Sequence, residues 1–526
     1  MDEHKLSHLA DHLLATFEKD KKDGGEDGEK KIRVNAVISE MASWYEKIRT
    51  SMDIREEEVI LRGAIERIVK RRVLLGGTGK SIAAPLVREL IWARYFPDAS
   101  VPEEMVGQVE KTINLYTRLR EAILKKNKIR QSIIDEWFYH LLSTELVEIL
   151  SPNRKKETIA NFMFQIMKDH VEITDDTPET RDAQVFIAVH KAFAKDDVAF
   201  LRYHLFEQYF GKLAEENLQH VANNFTAGYN EIERQLRYPL KDRIFNYVKK
   251  KAAPFFILED IADAYGEHTR TLTESEESLK KAVFAFCEER YKTISGKIGR
   301  AILRSVVFIL LTKAIFAFVV EGTYETILFG HISWTTMAIN VSIPPLLMVL
   351  VGLFMRTPGK DNSERIYDRI KRILFTEPAV LGESLVLTKA TEKGKPTNNF
   401  VFKLLWFLAF ASSFGMLISV LNLLHFHIVS QAIFIFFLTI VSFLSYRISQ
   451  TAGIYYVDEK PGLLTPVVDF LFLPIIQVGR HLTDGIAQLN LILFIFDFII
   501  ETPFKGIFGF FEQWFLYLHA KREGLG

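Results

Sequence analysis

Cysteine occurs once in 526 residues, as Cys287, which excludes an internal disulfide and any metal cluster built on cysteine alone. Its place in the apolar run Ala285-Phe286-Cys287 predicts a buried, inert thiol. Net charge is missing too: 66 Lys and Arg balance 66 Asp and Glu. With no basic domain, nucleic acid is not an expected partner. No stretch alternates apolar and polar residues between turn signals, so strands are not expected. Met1-Asp2-Glu3-His4-Lys5 opens without a basic start and unbroken apolar run, so no secretory leader is expected. His-Glu-x-x-His, an EF-hand loop and a Gly-x-Ser-x-Gly elbow are also lacking. No catalytic residue, cofactor or metal is therefore expected.

Charge itself is unevenly spread. Only 34 of the 226 residues from 301 onward are charged, against 98 of the first 300. That contrast separates a membrane half from a soluble one.

In the soluble half, Leu6, Leu9, Leu13 and Phe17 recur at helical spacing. Residues 19–32 are charged, with glycines at 24, 25 and 28, and have too little apolar surface to offset the entropy of ordering. Residues 1–18 are thus predicted to be a detachable helical arm on a flexible linker, 19–32. From 33 to 300 the apolar period is three to four residues: Val34, Val37, Ile38, Met41, Tyr45 and Ile48 stripe one helix, and Leu61, Ala64, Ile65, Ile68 and Val69 the next. Asp53 and Glu56 have capping-box spacing. Further helices are predicted near 82–95, 103–124 and 129–150, and one starting at Thr177-Pro178. The fold class is all-α, with 33–300 as a cytosolic helical domain large enough for its own core.

Two motifs in this half invite chemistry. Leu75-Gly76-Gly77-Thr78-Gly79-Lys80-Ser81 ends like a phosphate-binding loop, but Leu74 stands where that loop needs its first glycine, and a basic helix precedes it rather than a strand. Two glycines closing one helix in left-handed conformations is the expected alternative. His4, His8 and His12 share a helix face, yet an exposed arm offers no rigid frame for a metal, so a solvated face is expected. Glu216 with His220, and His204 with Glu207, read as ordinary surface pairs.

The second half contains four apolar runs near bilayer length, about 305–320, 333–355, 402–424 and 428–446. Between the first and second runs, and again between the third and fourth, there is no Lys or Arg. Before the first lie Lys292, Lys297, Arg300 and Arg304, and the loop 356–399 is rich in both types. Basic connections stay in the cytosol, which predicts a four-helix transmembrane domain, 301–449, with both termini cytosolic. Within the inner loop, Ser363 is expected to cap a helix with Ile366, Ile370, Ile373 and Leu374 on one face and Arg365, Arg369, Lys371 and Arg372 on the rest. Such a helix is expected on anionic headgroups, with packing on the helical domain as the alternative. Residues 450–526, with Pro466, Asp469, Pro474, Asn490 and Asp497 interrupting short apolar runs, are expected to be cytosol-facing, membrane-interfacial amphipathic helices, half-sunk in the inner leaflet or lying against the bundle. The alternative is a fifth and sixth span with Arg480 outside.

Lys313 falls midway along the first span, where a charge is costly. It is expected to snorkel toward Glu321. The alternative is an intramembrane polar site formed with Asn340 and a helix break at Pro344-Pro345. The expected function is accordingly a non-enzymatic, polytopic membrane protein. Its helical domain would be held at the inner membrane surface for a protein partner, with lipid headgroups as the other partner and homo-oligomers compatible. A small-solute or ion transporter centred on Lys313 is the rival.

Overall fold

A computed structural model describes residues 5–19, 30–50, 56–126, 129–330, 334–354, 358–377, 384–388, 400–424, 426–457, 465–487, 510, 514, 517–518 and 521. The chain is almost entirely helical. The periodicity is realised as Ala36–Thr50, Glu57–Leu74, Gly79–Trp92, Glu103–Lys126 and Gln131–Leu150. Pro178 stands in the first turn of Pro178–Val189, whose cap Thr177 accepts a 3.3 Å hydrogen bond from the Thr180 N–H. Asp53 of the expected capping box lies outside the described residues. Unforeseen are two three-residue strands, Val171–Ile173 and Leu385–Leu387, which pair in parallel.

The helical body of the first 300 residues is built on two hydrophobic cores. One gathers Glu57–Leu74, Gly79–Trp92, Glu103–Lys126, Gln131–Leu150, Val198–Phe210 and Leu218–Leu236 around Trp137, Phe206 and Phe225. The other collects Arg154–Lys168, Lys241–Lys249, Ala253–Tyr265 and the start of Glu276–Phe316, and takes in segments far away in sequence. Pro178–Val189 lies on the seam, with Phe186 and Ile187 in the first core and Val185, Ala188 and Val189 in the second.

Those distant segments correct three expectations. The N-terminal helix His8–Lys19 is docked rather than detachable: Ala10, Leu13, Leu14 and Phe17 are buried in the second core, and Arg270 binds Asp11 and Glu18 at 2.7 Å each. The basic amphipathic helix Lys360–Phe375 turns its stripe, Ile366, Ile370, Ile373 and Leu374, into the same core rather than toward lipid. Burying such side chains stabilises by roughly 1.5–3 kcal/mol each relative to water. Ser363 lies inside that helix, its Oγ 3.3 Å from the Tyr291 hydroxyl, and Gly359 takes the cap position. Third, the boundary drawn at residue 300 falls within an unbroken 41-residue helix, Glu276–Phe316. At 1.5 Å per residue it is about 60 Å long, enough to serve both halves.

Among the described residues, three helices are long and apolar enough to cross a membrane: Glu276–Val320, Phe400–Leu423 and Ile428–Tyr455. Trp334–Phe354 joins them with the shorter apolar stretch Met337–Leu350. Val307, Leu311, Ile315, Phe318, Phe407 and Met416 face outward; so much contiguous apolar surface suits hydrocarbon and would be an aggregation liability in water. Of the two arrangements expected for the tail, Thr465–Ala487 takes the one against the bundle, packing on the middle of Phe400–Leu423 and Ile428–Ala452. Ser413 Oγ donates to the Leu471 carbonyl at 2.7 Å, and Gly479 sits so close to the Thr439 carbonyl that a Cβ would not fit. Residues 488–509, with Asn490 and Asp497, lie outside the described residues.

The fold predicts that Ile370→Ala destabilises the helical body by about 2–5 kcal/mol, while Arg372→Ala at an exposed position changes it by less than about 0.5 kcal/mol. Thermal unfolding of the detergent-purified chain checks both. Equal effects would mean that the stripe is not in the core.

Candidate functional site

Of the intramembrane group, Lys313 is fully buried, with its Nζ 4.9 Å from the centroid of the Phe437 ring. It therefore does not snorkel. A lysine ammonium over an aromatic face is attracted by the ring quadrupole, more strongly where water is excluded. Ile309, Met348, Phe437 and Val441 form the apolar cluster on the same helices. Pro344 and Pro345 are buried in Trp334–Phe354, which stays helical through them, so the break that the alternative reading called for is not formed. The side chains of Asn340 and Glu321 lie outside the described set. One turn beyond Lys313 the helix widens into a π segment, Ala317–Gly322, a deformation frequent at functional sites.

The four basic residues of Lys360–Phe375 serve the protein interior more than a surface. Arg365 donates to the Val457 carbonyl at 3.2 Å, Lys371 pairs with Glu276, and Arg369 is buried; Arg372 is exposed. The phosphate-loop look-alike is a helix-to-helix turn. Gly76 adopts φ +79° after Glu57–Leu74, Ser81 Oγ accepts from the Thr78 N–H, and Asn114 Oδ1 accepts from the Gly79 N–H. Two of the amides that a phosphate would need are thus engaged by side chains. Gly77 is not left-handed, which corrects that detail. His8 and His12 are exposed, as a solvated face requires.

The larger concave feature was not foreseen. A cleft of about 930 Å³ lies between the two cores and the foot of the long helix, lined by residues from Glu56 to Tyr455. Five carboxylates, Glu56, Glu57, Glu58, Glu259 and Asp263, and five cations, Arg94, Lys156, Lys195, Arg290 and Lys297, face it. Arg290 forks onto Asp260 at 2.5 and 2.6 Å, and Lys156 Nζ meets Glu58 at 2.6 Å. Lys195, at φ +64°, donates to the Ala192 carbonyl at 2.6 Å and stands 5.0 Å over the Phe256 ring. Burial pushes its ammonium down to about 8, only partly opposed by Glu56. Burial also raises Glu259 to about 7 against the pull of Lys156.

Adjoining the cleft is a buried trio: His190 Nδ1 is 2.8 Å and His204 Nε2 3.4 Å from the same oxygen, Asp196 Oδ2. Burial works against a charged His204, but Asp196 more than offsets it and holds the imidazole up at about 8. Asp196 is held far below the usual carboxylate range: burial raises it, and hydrogen bonds from both imidazoles prevail. Nearby Glu148 is raised to about 7 by burial and by the charge of Glu157. His204 is therefore no surface partner of Glu207, which instead accepts from Tyr203. The legible signal was its position inside Phe200-Leu201-Arg202-Tyr203-His204-Leu205-Phe206, a run apolar on most sides. His220 is exposed, as expected.

Comparison with family models, with curated proteins and with solved structures finds no match to the chain.

Because Lys195 is lowered in the folded state, its favourable contribution is complete only above the unfolded value near 10.5 and is lost as pH falls through about 8. After reductive methylation with a ¹³C label, one dimethyl-lysine signal, absent in Lys195→Arg, is expected to titrate near pH 8. Titration of that signal above pH 10 would contradict the cleft's geometry.

Proposed function

We propose that this chain is a multi-pass membrane protein that holds a helical binding body against one face of the bilayer. One observation carries the reading. Lys360–Phe375 and the segment Tyr455–Val457 share a core with residues of the N-terminal 300. Between the body and Lys360–Phe375 come two apolar helices, and between that helix and Tyr455 come two more. Each pair must therefore leave and return to the same side. The basic connection 356–399 and the Lys- and Arg-free connection 321–332 support a cytosolic face for that side. Thr465–Ala487 adds a fifth helix to the bundle rather than an interfacial tail.

The proposed role is binding rather than turnover. The cleft is of the size that takes a small ligand or the side chains of a partner segment. Its balanced charge favours a polar, zwitterionic partner over a purely anionic or cationic one. It also borders the foot of the long helix, so occupancy there would be felt by the element that enters the membrane.

Single cysteines at Glu18, Lys371 and Thr323, labelled from each side of sealed vesicles, test the threading. Positions 18 and 371 are expected to react from one side and 323 from the other. The reading is lost if 18 and 371 react from opposite sides.

A transport reading has one specific observation in its favour, the fully buried Lys313 beside a π segment. In proteoliposomes Lys313→Leu is expected to abolish any solute or ion flux that the native chain supports, and flux unchanged by the substitution removes that site.

A further inference from the structure

Pro178–Val189 does not end in an ordinary cap. It runs into a π segment, His190–Ala194, and the chain then reverses through Lys195 in the left-handed region. That wide turn brings the Asp196 N–H to 3.2 Å from the His190 carbonyl and the Asp196 carboxylate to His190 Nδ1. Asp197 then caps Val198–Phe210 by accepting from the Ala199 and Phe200 N–H groups at 3.0 and 3.1 Å. About two helical turns on, His204 reaches back to the same Asp196 oxygen. A non-glycine residue in a left-handed turn beside a π segment is a costly local conformation, retained where it serves a site.

The trio is built as a ligand set is built. One donor atom from each of His190, Asp196 and His204 lies within 4.8 Å of the others. The side chains are 4%, 7% and 10% exposed, so neither imidazole is free to leave. Phe186 stacks 4.1 Å from the His190 ring, and the two imidazole centroids are 4.7 Å apart. Beside them is a cavity of about 20 Å³, room for one ion or one water. Glu58, Glu148 and Glu157 line it with Asp196, against Lys156 and the imidazoles of His190 and His204. Such an excess of carboxylate is what a dication neutralises. Glu157 Oε1 is 3.8 Å from His204 Nε2 and lines the same cavity, within reach of an ion held there. Glu58, Asn153 and Lys156 line both this cavity and the large cleft, which provides the entry path.

We propose that His190, Asp196 and His204 bind a first-row transition-metal dication, Zn²⁺ foremost, with Glu157 as the fourth ligand. Two imidazole nitrogens and carboxylate oxygen form a borderline donor set suited to Zn²⁺ and Co²⁺ and a poor one for Ca²⁺ or Mg²⁺. The ion would take the place of the protons that now join each imidazole to Asp196, and would pin the seam between the two cores. Nothing in this inference depends on the membrane threading.

The test uses the full chain in detergent, stripped with chelator and carrying His4→Gln, His8→Gln and His12→Gln so that the first helix cannot contribute. Titration with Zn²⁺ is expected to show one equivalent bound, and Co²⁺ to give the visible absorption of a four-coordinate nitrogen and oxygen site. His204→Gln should weaken binding by more than about 100-fold, beyond the 10–100-fold of an outer partner, and His220→Gln should leave it unchanged. Should His204→Gln fail to fold, Glu157→Gln at the rim takes its place, with an expected loss of at least about 10-fold. The proposal is overturned if the native trio binds less than one equivalent, or if His204→Gln or its rim substitute binds as tightly as its parent.

Discussion

Asn362 makes the hydrogen bonds on which the architecture turns. Its Nδ2 donates to the Tyr455 carbonyl at 2.7 Å and to the Tyr291 hydroxyl at 2.9 Å, and its Oδ1 accepts from the Val457 N–H at 2.9 Å. Three stretches of chain separated by pairs of membrane-length helices are thereby tied at one buried point. Amide groups withdrawn from water cost free energy unless paired, so this junction favours only the arrangement in which all three stretches meet. The stripe Ile366, Ile370, Ile373 and Leu374 supplies the apolar half of the same junction. Together they make the connection between the second and third apolar helices a structural member of the helical body.

From that junction follows the position of the cleft. The two cores are joined along Pro178–Val189, and the foot of the long helix closes the gap between them with Arg290, Ile294 and Lys297. Buried charge concentrates along this seam: Lys195 is destabilised as an ammonium while Glu148 and Glu259 are destabilised as carboxylates, each chiefly by burial. Lys195 and Glu259 face the large cleft, and Glu148 faces the small cavity that adjoins it. Elsewhere in the body the buried ions are matched. Arg62 meets Glu66 and Asp197, and Arg71 and Arg72 share Glu89.

The sequence carried the helices and the apolar spans well, because both are written in local periodicity and length. What it carried less well was destination. The amphipathic helix around Ile370 had to bury its stripe, but its pattern is equally satisfied by headgroups or by a protein core, and only the partner surface decides. The N-terminal arm failed for the same reason, since Leu13 and Phe17 are ordinary amphipathic positions until the second core is assembled. Lys313 has a stem long enough to snorkel, and it is the Phe437 ring on a facing helix that holds it inside. His190, Asp196 and His204 were illegible as a group. Their convergence requires a π turn and a left-handed lysine, and neither has a local signature.

The shared core is the claim from which the threading and the cleft follow, and Glu276 and Lys371 mark it, paired across the junction from the long helix and the inner loop. Replacing both by cysteine in the membrane-embedded chain, with Cys287 left in place because it is buried, and adding a short bifunctional thiol crosslinker tests it directly. The account predicts an efficient intramolecular crosslink that Asn362→Ala diminishes. Reaction of the two cysteines only singly, each from a different face of the membrane, would contradict it.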